Sequence, residues 1–292
     1  MNSLYALLLL ATMRPTRAPS TPGSDASIDK QIRAELRLLR RVHDRLETRD
    51  DNYYLDFTLL HDGAAVYSVG VGRDIGFDKA ILNACRGCHV HAFDNTPVAN
   101  KFVARMLPTW QRTHPKTAAR WHLHPYLLGA TDGNVTLVLP KGFRHSYVQA
   151  EDTQGWDRWS KPSKSGNWTA EAKTIRSLMG LLNHTRLDVL KIDIEGSEFP
   201  WLTGLVQDYW LPRKSHANID RSVCSPLPVC QLLFEFHPSM VPGGLATKAE
   251  AITQLNVLGF TPLHDLTNNG APNILFVNPR CCLKFVPSSF AR

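Results

Sequence analysis

Apolar positions recur along this chain in two rhythms. Short continuous runs are rich in β-branched and aromatic side chains: AAVYSVGV (64–71), HVHAFD (89–94), NVTLVLP (134–140), LDVLKIDI (187–194) and CQLLFEFH (230–237). Such runs, bounded by turn residues, predict strands. WHLHPYLLGA (121–130) contains another. Between them FDKAILNAC (77–85), PVANKFVARML (97–107), TAEAKTIRSLMGLLN (169–183) and KAEAITQLNVLG (248–259) read as helices. FTPLHDLT and NILFVNP lie close enough to form an antiparallel hairpin at a sheet edge.

Upstream, Ile28, Ile32, Leu36, Leu39, Val42 and Leu46 recur at steps of three and four. That spacing predicts an amphipathic helix over 27–50, capped by Ser27 or Asp29. The β-α-β-α succession with continuously apolar strands is that of an α/β domain with a mostly parallel sheet covered on both faces. We place this domain at 51–292, after the 27–50 helix and a segment 1–26.

That first segment changes the picture. Leu4–Met13 is an apolar run of about ten residues, where a membrane span needs ~20. It reads as a signal or signal-anchor segment, followed by a Pro/Ser/Thr-rich stem over 14–26. Asn134, Asn167 and Asn183 begin acceptor sequons for N-glycosylation, and the six cysteines are an even number. All of this points to the secretory pathway or a membrane. The net charge of +7 is concentrated in part on Arg33, Arg37, Arg40, Arg41 and Arg45. A solvated helix face accounts for that cluster. No aromatic-interleaved basic motif of the RNA-binding kind is present, so no nucleic-acid partner is expected.

Candidate chemistry follows from reading the strand ends together, since ligands of open parallel sheets bind beyond the carboxyl ends of strands. The first run ends in Gly70-Val71-Gly72, where backbone can approach a ligand closely. With Gly76 the spacing misses the dinucleotide pattern G-x-G-x-x-G by one residue. The second run ends in Asp94, placed to accept ribose hydroxyls. The third ends near Asp132, the next in Asp193-Ile194-Glu195-Gly196, and the next in Glu235-Phe236-His237. Asp193, Glu195 and His237 are the candidates to take a proton from an acceptor hydroxyl. Glu198 reads as a structural acid at a helix start. Asp193, Glu195, Glu235 and His237 are also compatible with Mg²⁺ or Mn²⁺, although no metal is assigned. Cys85-Arg86-Gly87-Cys88 lacks a second CxxC, which favours a disulfide or free thiols over zinc.

The motifs VYSVGVGRDIGFD, HAFDNTP, LGATDG, LDVLKIDIEGSEF and LLFEFH, in this order, resemble those of the FkbM-type S-adenosylmethionine (SAM)-dependent methyltransferases over about 50–285. More closely, they resemble the animal methyltransferase-like branch with an N-terminal membrane anchor. The resemblance implies a Rossmann-like class I methyltransferase fold, with a mostly parallel seven-stranded sheet and an antiparallel last strand. It implies SAM as cofactor, and a small molecule or glycan methylated on oxygen. By position, Gly70 and Gly72 line the methionine and ribose side, Asp94 holds the ribose, Asp132 faces the adenine, and Asp193 and Glu195 face the methyl-transfer zone. Ser68 stands where many such enzymes carry an acid toward the methionine end, for which Asp74 or Asp78 are substitutes. An inactive scaffold on this fold and a nicotinamide-dependent oxidoreductase are the alternatives.

Overall fold

The computed structural model describes residues 44–47, 52–138, 147–148, 167–210, 227–241, 243–265 and 273–282. The chain divides into two compact units, residues 1–38 and 39–292, and all described residues lie in the second. The apolar run Leu4–Met13 and residues 27–43 of the expected helix lie outside them. No helix among the described residues is long and apolar enough to cross a membrane.

The unit opens with a hairpin of β1 (Asp44–Glu47) and β2 (Asn52–Leu55). β1 falls where the apolar spacing predicts the last turn of the 27–50 helix. Backbone pairing from Asp44↔Leu55 to Glu47↔Asn52 claims those residues instead, so the folded domain starts before residue 51. Beyond β2, Gln231 ties the chain to the sheet: its amide donates to Asp56 O (3.0 Å) and its oxygen accepts from Asp56 N–H (2.8 Å).

Next come β3 (Ala65–Val69), α1 (Gly76–Ala84), β4 (His89–Phe93), α2 (Pro97–Thr113), α3 (Pro115–Ala118) and β5 (Trp121–His124). α2 continues through Pro108, past its expected end at Leu107. Buried Trp110 anchors the extra turns, edge-on to Trp121 at 6.0 Å between ring centres and beneath the Lys79 ammonium. Pro125 ends β5 at His124, so the strand expected within 121–130 is split, and β6 (Leu127–Leu128) joins another sheet.

That second sheet holds β6, β7 (Gly133–Val138), β8 (Tyr147–Val148) and β9 (Asn167–Lys173) in the order β6-β9-β7-β8. β9 and α4 (Ile175–Leu181) together replace the single helix expected over 169–183. Ala170 and Ala172 are buried while Thr169 and Glu171 are exposed, a period of two that suits pairing with β7. Thr174 then caps α4 by accepting from Ser177 N–H (3.2 Å).

The chain returns to the main sheet through β10 (Leu187–Ile192), α5 (Glu198–Trp210), β11 (Val229–Glu235), α6 (Leu245–Val257), β12 (Thr261–Asp265) and β13 (Asn273–Val277). The seven strands run β12-β13-β11-β10-β3-β4-β5. Pairings from β11 through β5 are parallel, and β13 is antiparallel to both its neighbours. This is the expected mostly parallel Rossmann-like sheet with an antiparallel final strand. β3, β10, β11 and β13 are buried at every position because cores cover both faces of the sheet. Phe234, fully buried against Phe236 (4.4 Å between centroids) and Trp201 (6.2 Å), illustrates the stakes: truncation to alanine costs about 3–5 kcal/mol.

Disulfides join Cys85 to Cys88 and Cys230 to Cys282, and Cys281 is also disulfide-bonded. The CxxC is therefore a turn clasp. Arg120 completes it by donating to the carbonyls of Leu82, Cys85 and Cys88 at the end of α1. From β3 the chain winds to β4 and β5 on one side, then to β10 and β11 on the other. The crevice between β3 and β10 is thus the topological switch point, where such sheets bind ligands.

Candidate functional site

The loop after β3 is built by close approach. Gly70 has φ +87°, and a Cβ on it would overlap the carbonyl oxygen of Asp193. Its N–H donates to Phe93 O (3.1 Å), while Asp193 N–H donates to Val69 O (3.1 Å), so the ends of β4, β3 and β10 are laced together. Gly72 has φ +52° with open space around it, so there glycine serves the turn. Asp94, at the end of β4, holds this loop. Its Oδ2 accepts from Val71 N–H and Gly72 N–H (2.9 Å each), and its Oδ1 accepts from Thr96 N–H (2.7 Å). Asp74 Oδ1 accepts from Gly76 N–H (2.9 Å) at the start of α1.

The opposite wall is ionic. Lys191, buried in β10, donates to Gly70 O (3.2 Å) and Asp193 Oδ2 (3.1 Å), with its ammonium over the Tyr53 ring. Burial acts to lower its pKa, but the charges of Asp193 and Glu235 outweigh this and raise it. Tyr53 donates its hydroxyl to Glu235 Oε2 (2.9 Å). Glu198, fully buried in the first turn of α5, accepts from Gly196 N–H (2.8 Å), His237 N–H (2.7 Å) and His237 Nδ1 (3.0 Å). His237 Nε2 lies 3.6 Å from Glu235 Oε1, 3.7 Å from Glu195 Oε2 and 3.8 Å from Asp193 Oδ1. Burial alone would lower the pKa of His237. The hydrogen bond and charge of Glu198, then Asp193 and Glu195, override it and bring it to about 10. At neutral pH His237 is an imidazolium, which has no lone pair with which to act as the base expected from sequence. Glu195 is held toward it at φ +54°, a conformation non-glycine residues seldom adopt and one that gathers at functional sites.

These groups share a cavity of about 540 Å³. Ser68, Gly70, Gly72, Asp94, Asp193, Glu195, Glu235 and His237, all singled out from sequence, line it together. Asp132 does not. Its carboxylate accepts from Thr174 N–H and Ser177 Oγ (2.6 Å each), which makes it a brace for α4. Because β5 stops at His124, Asp132 follows the second sheet's β6 and not a strand of the main one. Asp74 and Asp78, the substitutes for the acid absent at Ser68, line it as well, and so do Lys191 and Tyr53, to which the sequence assigns no such role. For Lys191 the sequence carries a signal, a charge inside a mostly apolar strand two positions before Asp193. For Tyr53 there was none. Asp193, Glu235 and His237 bring ligand atoms within 4.8 Å of one another, a spacing that could hold a metal ion.

Among known proteins, the methyltransferase FkbM domain matches residues 64–261, about two-thirds of the chain. The comparison with curated proteins finds no match. Among solved structures, the chain is similar to methyltransferase FkbM from Methylobacillus flagellatus KT, with 13% identity and a TM-score of 0.42. The match covers 76% of this chain and 46% of that one, so the chain spans about half the length of that relative. The family match takes in β3 to the start of β12 and every cavity-lining residue named above except Tyr53, and by it the chain belongs to the methyltransferase FkbM domain family.

Proposed function

We propose that the cavity binds SAM and that the protein transfers its methyl group to a hydroxyl of a small molecule or glycan. The observation that carries this reading is the pairing of Val71 N–H and Gly72 N–H with Asp94. In a dinucleotide enzyme, loop amides of this kind face a pyrophosphate. Here they are spent on a carboxylate, which argues against NAD and for a cofactor without phosphates. Three of about four lone-pair sites on Asp94 are filled, leaving room on Oδ1 for a ribose hydroxyl. The volume lies within the ~300–1,000 Å³ of small-ligand sites. On the facing wall, three carboxylates (Asp193, Glu195, Glu235) stand beside two cations (Lys191, His237), and Glu198 lies buried behind His237. That negative balance suits a cationic ligand.

When bound, SAM supplies a methyl group already activated on a sulfonium. What remains for the protein is to orient the acceptor, exclude water and take one proton. Asp193 and Glu195 line the cavity and are the groups to accept that proton. His237, as imidazolium, holds both of them in place. The Cys85–Cys88 and Cys230–Cys282 disulfides support an oxidising compartment for the domain, in keeping with the secretory reading of the N-terminal segment.

Calorimetric titration with SAM and with NAD tests the reading. Saturable SAM binding, no NAD binding and loss of SAM affinity in Asp94→Ala are expected. Absence of SAM binding at millimolar concentration would refute it. SAM binding without methyl transfer to any hydroxyl acceptor would favour a binding scaffold.

A further inference from the structure

β4 and β5, at one edge of the main sheet, carry the stretches HVHAF and WHLH. Residues two apart in a strand share a face. His89 and His91 therefore stand on one side of β4, and His122 and His124 on one side of β5. The register His91↔His122 puts both sets on the same face of the sheet. The four rings form one stack: His89 on His122 (5.5 Å between centroids), His122 on His91 (5.1 Å) and His91 on His124 (5.3 Å). His89 is exposed and the other three are half-buried, so solvent and small ions reach them. None of the four lines the cavity, and the proposed methyl transfer uses none of them.

Their nitrogens meet in two diagonal pairs. His89 Nδ1 lies 3.2 Å from His122 Nε2, and His91 Nδ1 lies 3.0 Å from His124 Nε2. Two imidazole nitrogens bound to one ion at about 2.0–2.1 Å lie about 2.9 Å apart at a right angle and about 3.3 Å apart at the tetrahedral angle. Both observed separations fall inside that window. In each pair one neutral ring donates its proton to the other's lone pair. Moving that proton to the donor's other ring nitrogen leaves two lone pairs side by side. Rings packed this closely resist protonation, because like charges on neighbours repel. They therefore keep the neutral form that a metal requires. Imidazole donors suit Zn²⁺, Cu²⁺ or Ni²⁺, whereas Mg²⁺ and Ca²⁺ prefer oxygen.

We propose that this face of β4 and β5 binds divalent transition metal of the zinc class, with His89–His122 and His91–His124 each supplying two ligands to one ion and water supplying the rest. An ion so held cross-links β4 to β5 where the strand order ends. The site is distinct from the Asp193–Glu235–His237 cluster of the cavity, whose donors are mostly carboxylates.

The test is titration of the full chain, first stripped with a chelator, with Zn²⁺ at neutral pH. Ring-nitrogen NMR and the melting temperature are the readouts. Micromolar Zn²⁺ is expected to shift the ring nitrogens of His89, His91, His122 and His124 and to raise the melting temperature, as any ion that binds only the folded state must. Combining His122→Asn with His124→Asn is expected to weaken zinc binding at least tenfold and to remove the rise. Each single change is expected to abolish the shifts of its own pair and keep those of the other. Zinc affinity of the double variant equal to wild type would overturn the proposal. The wild-type chain alone can also overturn it, even if the variants fail to fold: zinc shifting the His237 ring but not the four ladder rings would do so. So would ladder shifts that appear only at millimolar Zn²⁺, where scattered surface imidazoles also bind.

Discussion

Two histidines of one sheet, one just past the end of β11 and one in the middle of β4, sit in opposite charge states. His237 has four carboxylates within 3.8 Å and is driven to a pKa of about 10. His91, in β4, stacks on His122 and His124 at 5.1 and 5.3 Å between ring centroids, with Nδ1 3.0 Å from His124 Nε2, and meets His184 edge-on. Burial first, and then the charges of His124, His184, His122 and His89, push His91 down to about 3. Burial opposes the charged form at both residues. The neighbours decide the outcome: at His237 carboxylates reverse the burial effect, and in the β4–β5 ladder imidazoles compound it. A histidine in or just past a strand is therefore no evidence for a base until its surroundings are known.

The two regions impose opposite pH dependences. A raised pKa means the His237 contribution to stability is full below about 6.5, the ordinary histidine value, and is lost as pH rises toward 10. A lowered pKa means the ladder contribution is full above about 6.5 and is lost as pH falls toward 3.

The largest expected effect comes from breaking the cleft side of the contrast. Glu198→Gln keeps the shape but removes the buried charge beneath His237. Urea denaturation should show a loss of about 3–5 kcal/mol, the cost of stranding one partner of a buried pair. NMR should show the His237 ring titrating much closer to 6.5. A loss under ~1 kcal/mol would mean that the pair is not ionic. Next is the ladder. The wild-type melting temperature should fall as pH is lowered from 6.5 to 4, and His91→Phe should flatten that fall, because the unfolded variant has one fewer imidazole to protonate. An equal slope in both proteins would remove His91 from the account. Smaller again, Tyr53→Phe withdraws one hydrogen bond from Glu235 and should cost about 1–3 kcal/mol in the same denaturation assay, since the carboxylate is hydrogen-bonded and buried. The smallest expected change is with Mg²⁺. An imidazolium in the Asp193–Glu235–His237 cluster competes with a cation, so millimolar Mg²⁺ should leave the melting temperature at pH 7 unchanged. A clear rise would convert that cluster into a metal site.

The sheet and the convergence of the site were legible because they are periodic. Continuous apolar runs locate the central strands, and the glycines or acids after β3, β4, β10 and β11 mark the crevice. What was hidden depended on pairing across the chain. The stretch Thr169–Lys173 has helix-favouring alanines, and only its docking on β7 makes it a strand. Residues 44–47 carry helical spacing, yet their partner is β2. Asp132 follows an apolar run as a strand-end acid would, but Pro125 stops β5 before that run ends. The charge of His237 depends on Glu198, which lies 39 positions away in sequence and reads as a helix-start acid. Asp78 can be named from sequence as a substitute for the acid absent at Ser68, but its burial against the Trp121 indole is visible only in three dimensions.

The most direct test of the central claim is a crystal structure of the chain grown with S-adenosylhomocysteine. The account predicts one ligand in the cavity at the switch point, with its ribose hydroxyl on Asp94 and its sulfur facing Asp193, Glu195 and His237. An empty cavity at saturating ligand, or a nucleoside bound away from Asp94, would contradict it.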